Sequence, residues 1–329
     1  MKECKDKRVL VIGGMGFIGC NVSRALVNNN SEVTVTTSSV QSFGTNKFNL
    51  NDVEGRYTHK ILDIRDRISL LNLVKGFDII YNFAGQPAHN KSLDDPHLDK
   101  DINLDGHLNL LQACKINNPD AKILYAGSRM QLGKINHFPV NEEHPSKPKS
   151  PYGVSKQAAE DYSQYFFREE GLDTVVFRIS NPYGPRAQMR KSEYCIVNWF
   201  LGQLMNGKDV TVYGDGNQLR DYIFIEDLVD AYLLAGVSPN SKGQVFNVGS
   251  GIGTRFKEMV DILIETVGGG KRVNVPWPKS YHNIETGDYV SDISNIKNSL
   301  SWTPKISLRD GLERTYEFYK EFGEHYFNP

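Results

Sequence analysis

A phenol and an ammonium stand four residues apart in Tyr152-Gly-Val-Ser-Lys156, a spacing that places two side chains on one face of a helix. An ammonium beside the ring favours the phenolate, so a group that ordinarily ionises near ~10 moves toward the range of a working base. Ser128, in Ile-Leu-Tyr-Ala-Gly-Ser-Arg-Met-Gln-Leu-Gly, precedes that helix. Its hydroxyl can share the hydrogen bond to a reacting alcohol and orient it for proton transfer. Taken alone, Tyr-x-x-x-Lys is equally a solvated helical pair, and a second pattern gives it weight. Gly13-Gly-Met-Gly16-Phe17-Ile18-Gly19 follows directly on the strand-like run Arg-Val-Leu-Val-Ile and opens a segment of helical period. In that setting Gly13 permits a tight turn, Gly16 lets backbone approach a pyrophosphate, and Gly19 allows close helix packing. The N–H groups at Phe17 and Ile18 face the anion.

The elements around these residues alternate short apolar runs with longer helical segments, the rhythm of a parallel sheet covered by crossover helices. Six strands are expected: Arg8 to Ile12, Glu32 to Thr36, His59 to Leu62, Asp78 to Asn82, Lys122 to Ala126 and Thr174 to Arg178. Phe17 to Asn28, Ile102 to Asn117 and Tyr152 to Glu170 carry apolar residues at helical spacing, and Pro151 after Ser150 suits a helix start. The fold class is therefore α/β, a Rossmann-type doubly wound parallel sheet with a smaller mixed α/β substrate lobe. Residues 1–180 plus roughly 221–250 form the dinucleotide-binding domain, and roughly 181–220 with 251–329 form the second lobe, where Gly and Pro punctuation breaks the rhythm.

Composition narrows the partners. The 329 residues hold 38 Lys+Arg against 39 Asp+Glu, which gives no electrostatic footprint for nucleic acid or an anionic membrane surface. No apolar run approaches the ~20 residues of a membrane span, and the N-terminal residues lack a signal-peptide core. A cytoplasmic protein is expected. Cys4, Cys20, Cys114 and Cys195 are scattered without a CxxC or Cys/His cluster, so no metal site is expected.

Further motifs follow in order: Leu62-Asp-Ile-Arg-Asp66, Asn82-Phe-Ala-Gly85, Phe177-Arg-Ile-Ser-Asn-Pro-Tyr-Gly-Pro-Arg186, the run from Tyr213 to Tyr232, Asn247-Val-Gly-Ser-Gly251 and a closing segment from Asp292 to Leu312. Together with the patterns above they resemble, over nearly the whole chain, the extended short-chain dehydrogenase/reductases that act on nucleotide sugars, the NAD-dependent epimerase/dehydratase family. The resemblance implies that Ser128, Tyr152 and Lys156 are catalytic and that NAD is the cofactor. It places Asp63 and Ile64 at the adenine edge and Phe83, Ala84 and Gly85 on the nicotinamide side, with Asn103 as a structural asparagine. A solvated turn at Asp63 and a plain helix residue at Asn103 are the alternatives. Where relatives carry an acidic ribose ligand this chain has Thr37, so NADP stays open. The substrate is expected to be a nucleotide-diphosphate sugar. By the same resemblance Asn181 and Arg220 meet its diphosphate and Tyr213 its nucleobase, and Arg129 is expected among the substrate-binding residues. Arg190, in a basic loop with Arg186, approaches the phosphates or is solvated. His89, in Gly-Gln-Pro-Ala-His-Asn-Lys-Ser, lines the sugar pocket or is an ordinary loop residue. Glu285-Thr-Gly-Asp288 stands where many relatives read Arg-x-Gly-Asp, so another cation substitutes, the nucleotide differs, or that strand sits elsewhere.

Arg129-Met130 follows Ser128, where a dehydratase needs carboxyl groups to protonate a leaving hydroxyl and remove a ring proton. Dehydration and Glu-assisted decarboxylation are therefore disfavoured. The first expectation is an epimerase acting at C4 through a transient 4-keto sugar. The alternatives are an NADPH-dependent 4-ketoreductase and a non-catalytic dinucleotide-binding protein. A homodimer is expected through the helices bearing Tyr152 and Asn103.

Overall fold

Val9 and Val11 in the first strand pack into one apolar core while Leu10 and Ile12 pack into another. This period-two split is the mark of a strand covered on both faces. The computed structural model describes residues 4–38, 44–87, 90–278 and 286–327. In chain order the strands are β1 (Arg8–Ile12), β2 (Glu32–Thr37), β3 (Thr58–Ile61), β4 (Ile79–Asn82), β5 (Lys122–Ser128), β6 (Asp173–Ile179), β7 (Asn181–Tyr183), β8 (Val210–Tyr213), β9 (Leu219–Phe224), β10 (Val245–Val248), β11 (Gly253–Arg255) and β12 (Arg272–Val275). Seven of them form one sheet in the order β10-β6-β5-β4-β1-β2-β3, every neighbouring pair parallel. The six expected strands are present, with ends shifted by a residue or two. Leu62, expected in β3, instead turns inward to near-complete burial as its N–H reaches Thr37 O at 2.8 Å. The seventh strand, β10, was not singled out in the sequence. It pairs with β6 at the sheet edge.

Beyond the main sheet, β7 and β11 flank β9, and β8 pairs with β12. Asp221 in β9 ties these pieces to the main body. Its buried carboxylate accepts Ser250 N at 2.6 Å and Ser291 N at 3.0 Å. A Cβ on Gly249 would stand 2.3 Å from that carboxylate, which explains the glycine in Asn-Val-Gly-Ser-Gly.

The helix Pro151–Glu170 begins where Ser150 Oγ accepts Gly153 N at 3.2 Å and Pro151 occupies the first turn. It ends at Gly171 with φ 76, the left-handed conformation that suits glycine. Its buried residues Tyr152, Ser155, Lys156, Ala159, Glu160, Ser163 and Phe166 follow the helical period on one stripe, so the stripe facing the sheet carries the chemistry as well as the packing. Across from it, Asp101–Asp105 forms a π-helical turn before the α-helix Gly106–Asn117. The four cysteines are buried and unpaired with one another. Among the described residues no helix is long and apolar enough to cross a membrane.

Candidate active site

Parallel strands deliver their C-terminal ends to one edge of the sheet, and the chain reverses direction of winding between β1 and β4, where a crevice opens. The glycine turn lies at that point. Gly13 has φ +76, and a Cβ on it would stand 2.8 Å from Ala84 N, so β1 and the loop after β4 meet backbone to backbone. Gly13 N and Gly14 N both donate to Thr36 O at 3.1 Å. A Cβ on Gly19 would drive into the Gly13 carbonyl. The helix Phe17–Asn28 starts at Gly16 with no side-chain cap and no acidic residue in its first turn. Its leading N–H groups and positive dipole end are thus left for an anion. This close-approach turn feeding an uncapped helix fits a dinucleotide pyrophosphate.

Around the turn, Thr37 Oγ1 shares a hydrogen bond with His59 Nε2 at 2.9 Å. Asp63 is engaged by Arg65, whose Nε and Nη2 donate to its two oxygens at 2.9 and 2.6 Å, and this guanidinium holds the carboxyl below its ordinary range. Ile64 is buried against Gly106. Asn82 Oδ1 accepts Ala84 N at 3.1 Å, which fixes the loop Phe83-Ala84-Gly85. A Cβ on Gly85 would lie 2.8 Å from Asn103 Oδ1 and 3.6 Å from Lys156 Nζ. Asn103 in turn accepts Gln86 N and donates to Gln86 O, both at 3.1 Å.

Ser128 ends β5. Its Oγ accepts Met130 N at 3.2 Å, and its N–H donates to Gln131 Oε1 at 2.7 Å. Tyr152 is buried with Ser128 near its hydroxyl, and Lys156 donates to Ala126 O at 2.8 Å. The ammonium lies 5.8 Å from the Tyr152 ring centroid and 4.7 Å from that of Tyr125. Burial pushes the Tyr152 phenol up to about 12 against the lowering effect of Ser128. Burial also pulls Lys156 down to about 8. Left to itself the pair is phenol plus ammonium at neutral pH. Added positive charge nearby is what brings the phenolate within reach.

Of the residues expected to meet the substrate, Arg220 and Arg129 reach the segment 286–291. Arg220 Nη1 donates to Leu219 O and to Gly287 O, both at 2.9 Å, while Asp288 Oδ1 accepts Leu219 N at 2.8 Å. Arg129 Nη1 donates to Thr286 Oγ1 at 3.1 Å, its guanidinium 5.4 Å from the Tyr289 ring centroid. Asn181 Nδ2 donates to Asp221 O at 2.8 Å. The Gly287-Asp288 pair therefore does lie against Arg220. Tyr213 closes β8 with its ring 5.7 Å from that of Trp277. Arg190 is exposed on a loop gathered by Gln188 Oε1, which accepts Arg190 N and Lys191 N at 2.9 Å. Arg186 departs from the expected basic loop. At φ 75 it turns toward Phe318, 4.9 Å from the ring, and toward Asp52 at 4.0 Å, because the aromatic face and the carboxylate offer its guanidinium better partners than solvent. His89 and Glu285 lie outside the described residues.

Five residues behind the site carry no sequence motif of their own. Gln131 bridges Ser128 N to Glu160 Oε2 at 2.8 Å, and Glu160 pairs with Arg178 at 2.5 Å in the interior. His107 is buried between Asn82 Nδ2 at 3.0 Å and Ser163 Oγ at 2.8 Å, with its ring stacked on Tyr125. Burial pulls that imidazole down to about 3 and keeps it neutral. Asp99 lies next to Asn103, fully buried. For Asp99, His107 and Glu160 the sequence signal is a polar residue at helical spacing on an apolar stripe, whereas Gln131, in a turn, and Arg178, in a strand, offer none.

Comparison with known proteins agrees with this geometry. The family model described as the NAD dependent epimerase/dehydratase family matches residues 9–249. A putative UDP-glucose 4-epimerase of Methanocaldococcus jannaschii is 31% identical over 316 residues, 95% of this chain and 98% of that protein. The CDP-paratose 2-epimerase of Salmonella typhi is 30% identical, covering 94% of this chain and 98% of its own length. Among solved structures, the UDP-glucose 4-epimerase of Thermotoga maritima with UDP-glucose superposes with a TM-score of 0.87 at 30% identity, over 96% of this chain and 99% of that one. With the glycine turn at the strand crossover and the resemblance running the length of the chain, the protein belongs to the NAD dependent epimerase/dehydratase family, nucleotide-sugar-modifying enzymes of the extended short-chain dehydrogenase/reductase type whose cofactor is NAD.

Proposed function

We propose that this chain is a nucleotide-sugar epimerase that inverts C4 through a transient 4-keto sugar. The observation that carries the reading is the make-up of the turn after Ser128. Arg129 reaches out to Thr286, Met130 is apolar, and Gln131 turns inward to Glu160. The turn thus offers no carboxyl group to protonate a leaving hydroxyl, and dehydration has no acid there. What remains is the set that epimerisation needs. NAD, held by the turn from Gly13 to Gly19 and the uncapped helix after it, would supply the acceptor and donor of the C4 hydride. Tyr152 takes the proton of the C4 hydroxyl as that carbon is oxidised and returns it on reduction. Ser128 orients the hydroxyl, and Lys156 holds positive potential beside the phenol. Asn181 binds the substrate together with Arg220 and Arg129 at the 286–291 segment, with Tyr213 against the base and Arg190 toward the phosphates. Residues 1–180 with roughly 221–250 bind the cofactor, and the remainder binds the sugar nucleotide. The half-exposed Val154, Tyr162 and Tyr165 on the outer face of the Tyr152 helix suit a second copy of the chain.

A 4-ketoreductase using NADPH is the second reading. It is favoured by Thr37 and His59 at the ribose position, where no carboxylate repels a 2′-phosphate. Mass spectrometry of the small molecules released on denaturing the purified protein separates the two. Near-stoichiometric NAD(H), with a nucleotide hexose, supports the epimerase, whereas a site filled only by added NADPH supports the reductase.

A further inference from the structure

Asp99 is a carboxylate where water cannot reach it. It lies on the short helix Pro96–Lys100, which starts at an Asp95 cap and packs against the Tyr152 helix, and its side chain has no solvent exposure. Asn103 Nδ2 donates to Oδ2 at 2.9 Å. Even so, Oδ1 is left without a hydrogen-bond partner among the described residues. A carboxylate so enclosed is costly unless an opposite charge shares its pocket. The groups that face it identify that charge. From the Tyr152 helix come Lys156 and Tyr152, and from β5 comes Tyr125. Lys100 and Asp101, on its own segment, are engaged with each other near the surface, and Lys91 on the preceding turn faces Tyr194. Among the described residues Lys156 is the cation whose charge acts on Asp99, and Asp99 the anion whose charge acts on Lys156, without direct ion-pair contact between them. Both are buried, and Asn103, which holds Asp99, meets Lys156 at Gly85, where an added Cβ would stand 2.8 Å from Asn103 Oδ1 and 3.6 Å from Lys156 Nζ.

We propose that Asp99 is the buried counter-charge of Lys156, and so a third member of the proton-handling set alongside Tyr152. This rests on reading Tyr152 and Lys156 as that set. Asp99 keeps the ammonium charged in a site that would otherwise strip its proton, and it opposes ionisation of Tyr152, so it positions the working pH of both. Burial pushes its own carboxyl above the ordinary range, while Ser155, Asn103 and Lys156 pull it back. Through Asn103 the same carboxylate is joined to the loop at Gln86, next to the expected nicotinamide.

Asp99→Asn removes the charge and keeps an oxygen for Asn103 to bond, so a merely structural role predicts unmoved titrations. In the NAD-loaded protein, Lys156 is followed by nitrogen NMR of labelled lysine, and Tyr152 by phenolate absorbance against a Tyr152→Phe reference. Both are expected to titrate about one pH unit lower in Asp99→Asn than in the parent. Unmoved titrations overturn the proposal. Should that variant not fold, the reciprocal measurement keeps Asp99 in place. In Lys156→Met the Asp99 carboxyl, followed by carbon NMR, is expected to hold its proton to higher pH, and an unmoved carboxyl overturns the pairing. The catalytic reading fails separately, if Tyr152→Phe turns over normally whatever the NMR shows.

Discussion

The two ends of the active site are held by different means. At the cofactor end the contacts are backbone against backbone. Gly13 meets Ala84, Gly19 meets the Gly13 carbonyl, and an uncapped helix presents its N–H groups. At the end proposed to bind the sugar, long side chains span between separate pieces of chain. Arg129 reaches Thr286, Arg220 reaches Gly287, and Asp288 reaches Leu219. Rigid close approach suits a partner that stays bound through every turnover, whereas side-chain bridges suit a partner that enters, is turned over and leaves. Between them sits the Ser128–Tyr152–Lys156 cluster, backed by Gln131, Glu160 and Arg178.

Substitutions should separate these regions. The largest effect is expected from Tyr152→Phe, which removes the proton acceptor. Turnover should fall about 10²–10⁴-fold with NAD affinity unchanged, measured by steady-state kinetics alongside calorimetry. Next is the backing. Glu160→Gln strands the Arg178 guanidinium in the interior and should cost about 3–5 kcal/mol of stability, read from urea unfolding. At the cofactor end, Gly19→Ala should weaken NAD binding about tenfold or more by forcing the turn apart, a loss of about 1.4 kcal/mol or more. The pH profile comes fourth. Burial depresses Lys156 to about 8, so its ammonium is intact below that range and is lost as pH rises through it. The phenolate loses its neighbouring charge, and turnover should decline on that alkaline side in a profile that Lys156→Met abolishes. Smallest is Thr286→Ala, which loosens Arg129. KM for the sugar nucleotide should rise about three- to tenfold with kcat nearly intact. If Gly19→Ala instead raised the sugar KM and Thr286→Ala the NAD dissociation constant, the division between the two ends would be wrong.

This division also explains what could be read from the sequence. The cofactor end is local: a strand, a glycine turn and a helix within about twenty residues, each with its own period or turn chemistry. The Tyr152–Lys156 pair is local for the same reason. The sugar end joins residues far apart in the chain, such as Arg129 and Thr286, whose meeting no local pattern announces. Arg186 shows the consequence. As a basic residue in a loop after Asn-Pro-Tyr-Gly-Pro it suited a phosphate, yet Phe318 and Asp52, brought in by distant segments, take it away. Gln131, Glu160 and Arg178 were hidden differently. Glu160 is a polar residue in an apolar stripe, Gln131 lies in a turn and Arg178 in a strand, and only the packed interior shows that they satisfy one another. The edge strand β10 was overlooked because four residues between turns carry little signal of their own.

The central claim is that one hydride leaves C4 and returns to C4 with no other group leaving the sugar. Supplying a nucleotide hexose deuterated at C4 and examining the product by NMR tests this directly. The expected product is the C4 epimer with deuterium still at C4. A 4-keto-6-deoxy product with the label moved to C6 would contradict it, because that outcome requires the dehydrating acid that the turn after Ser128 lacks.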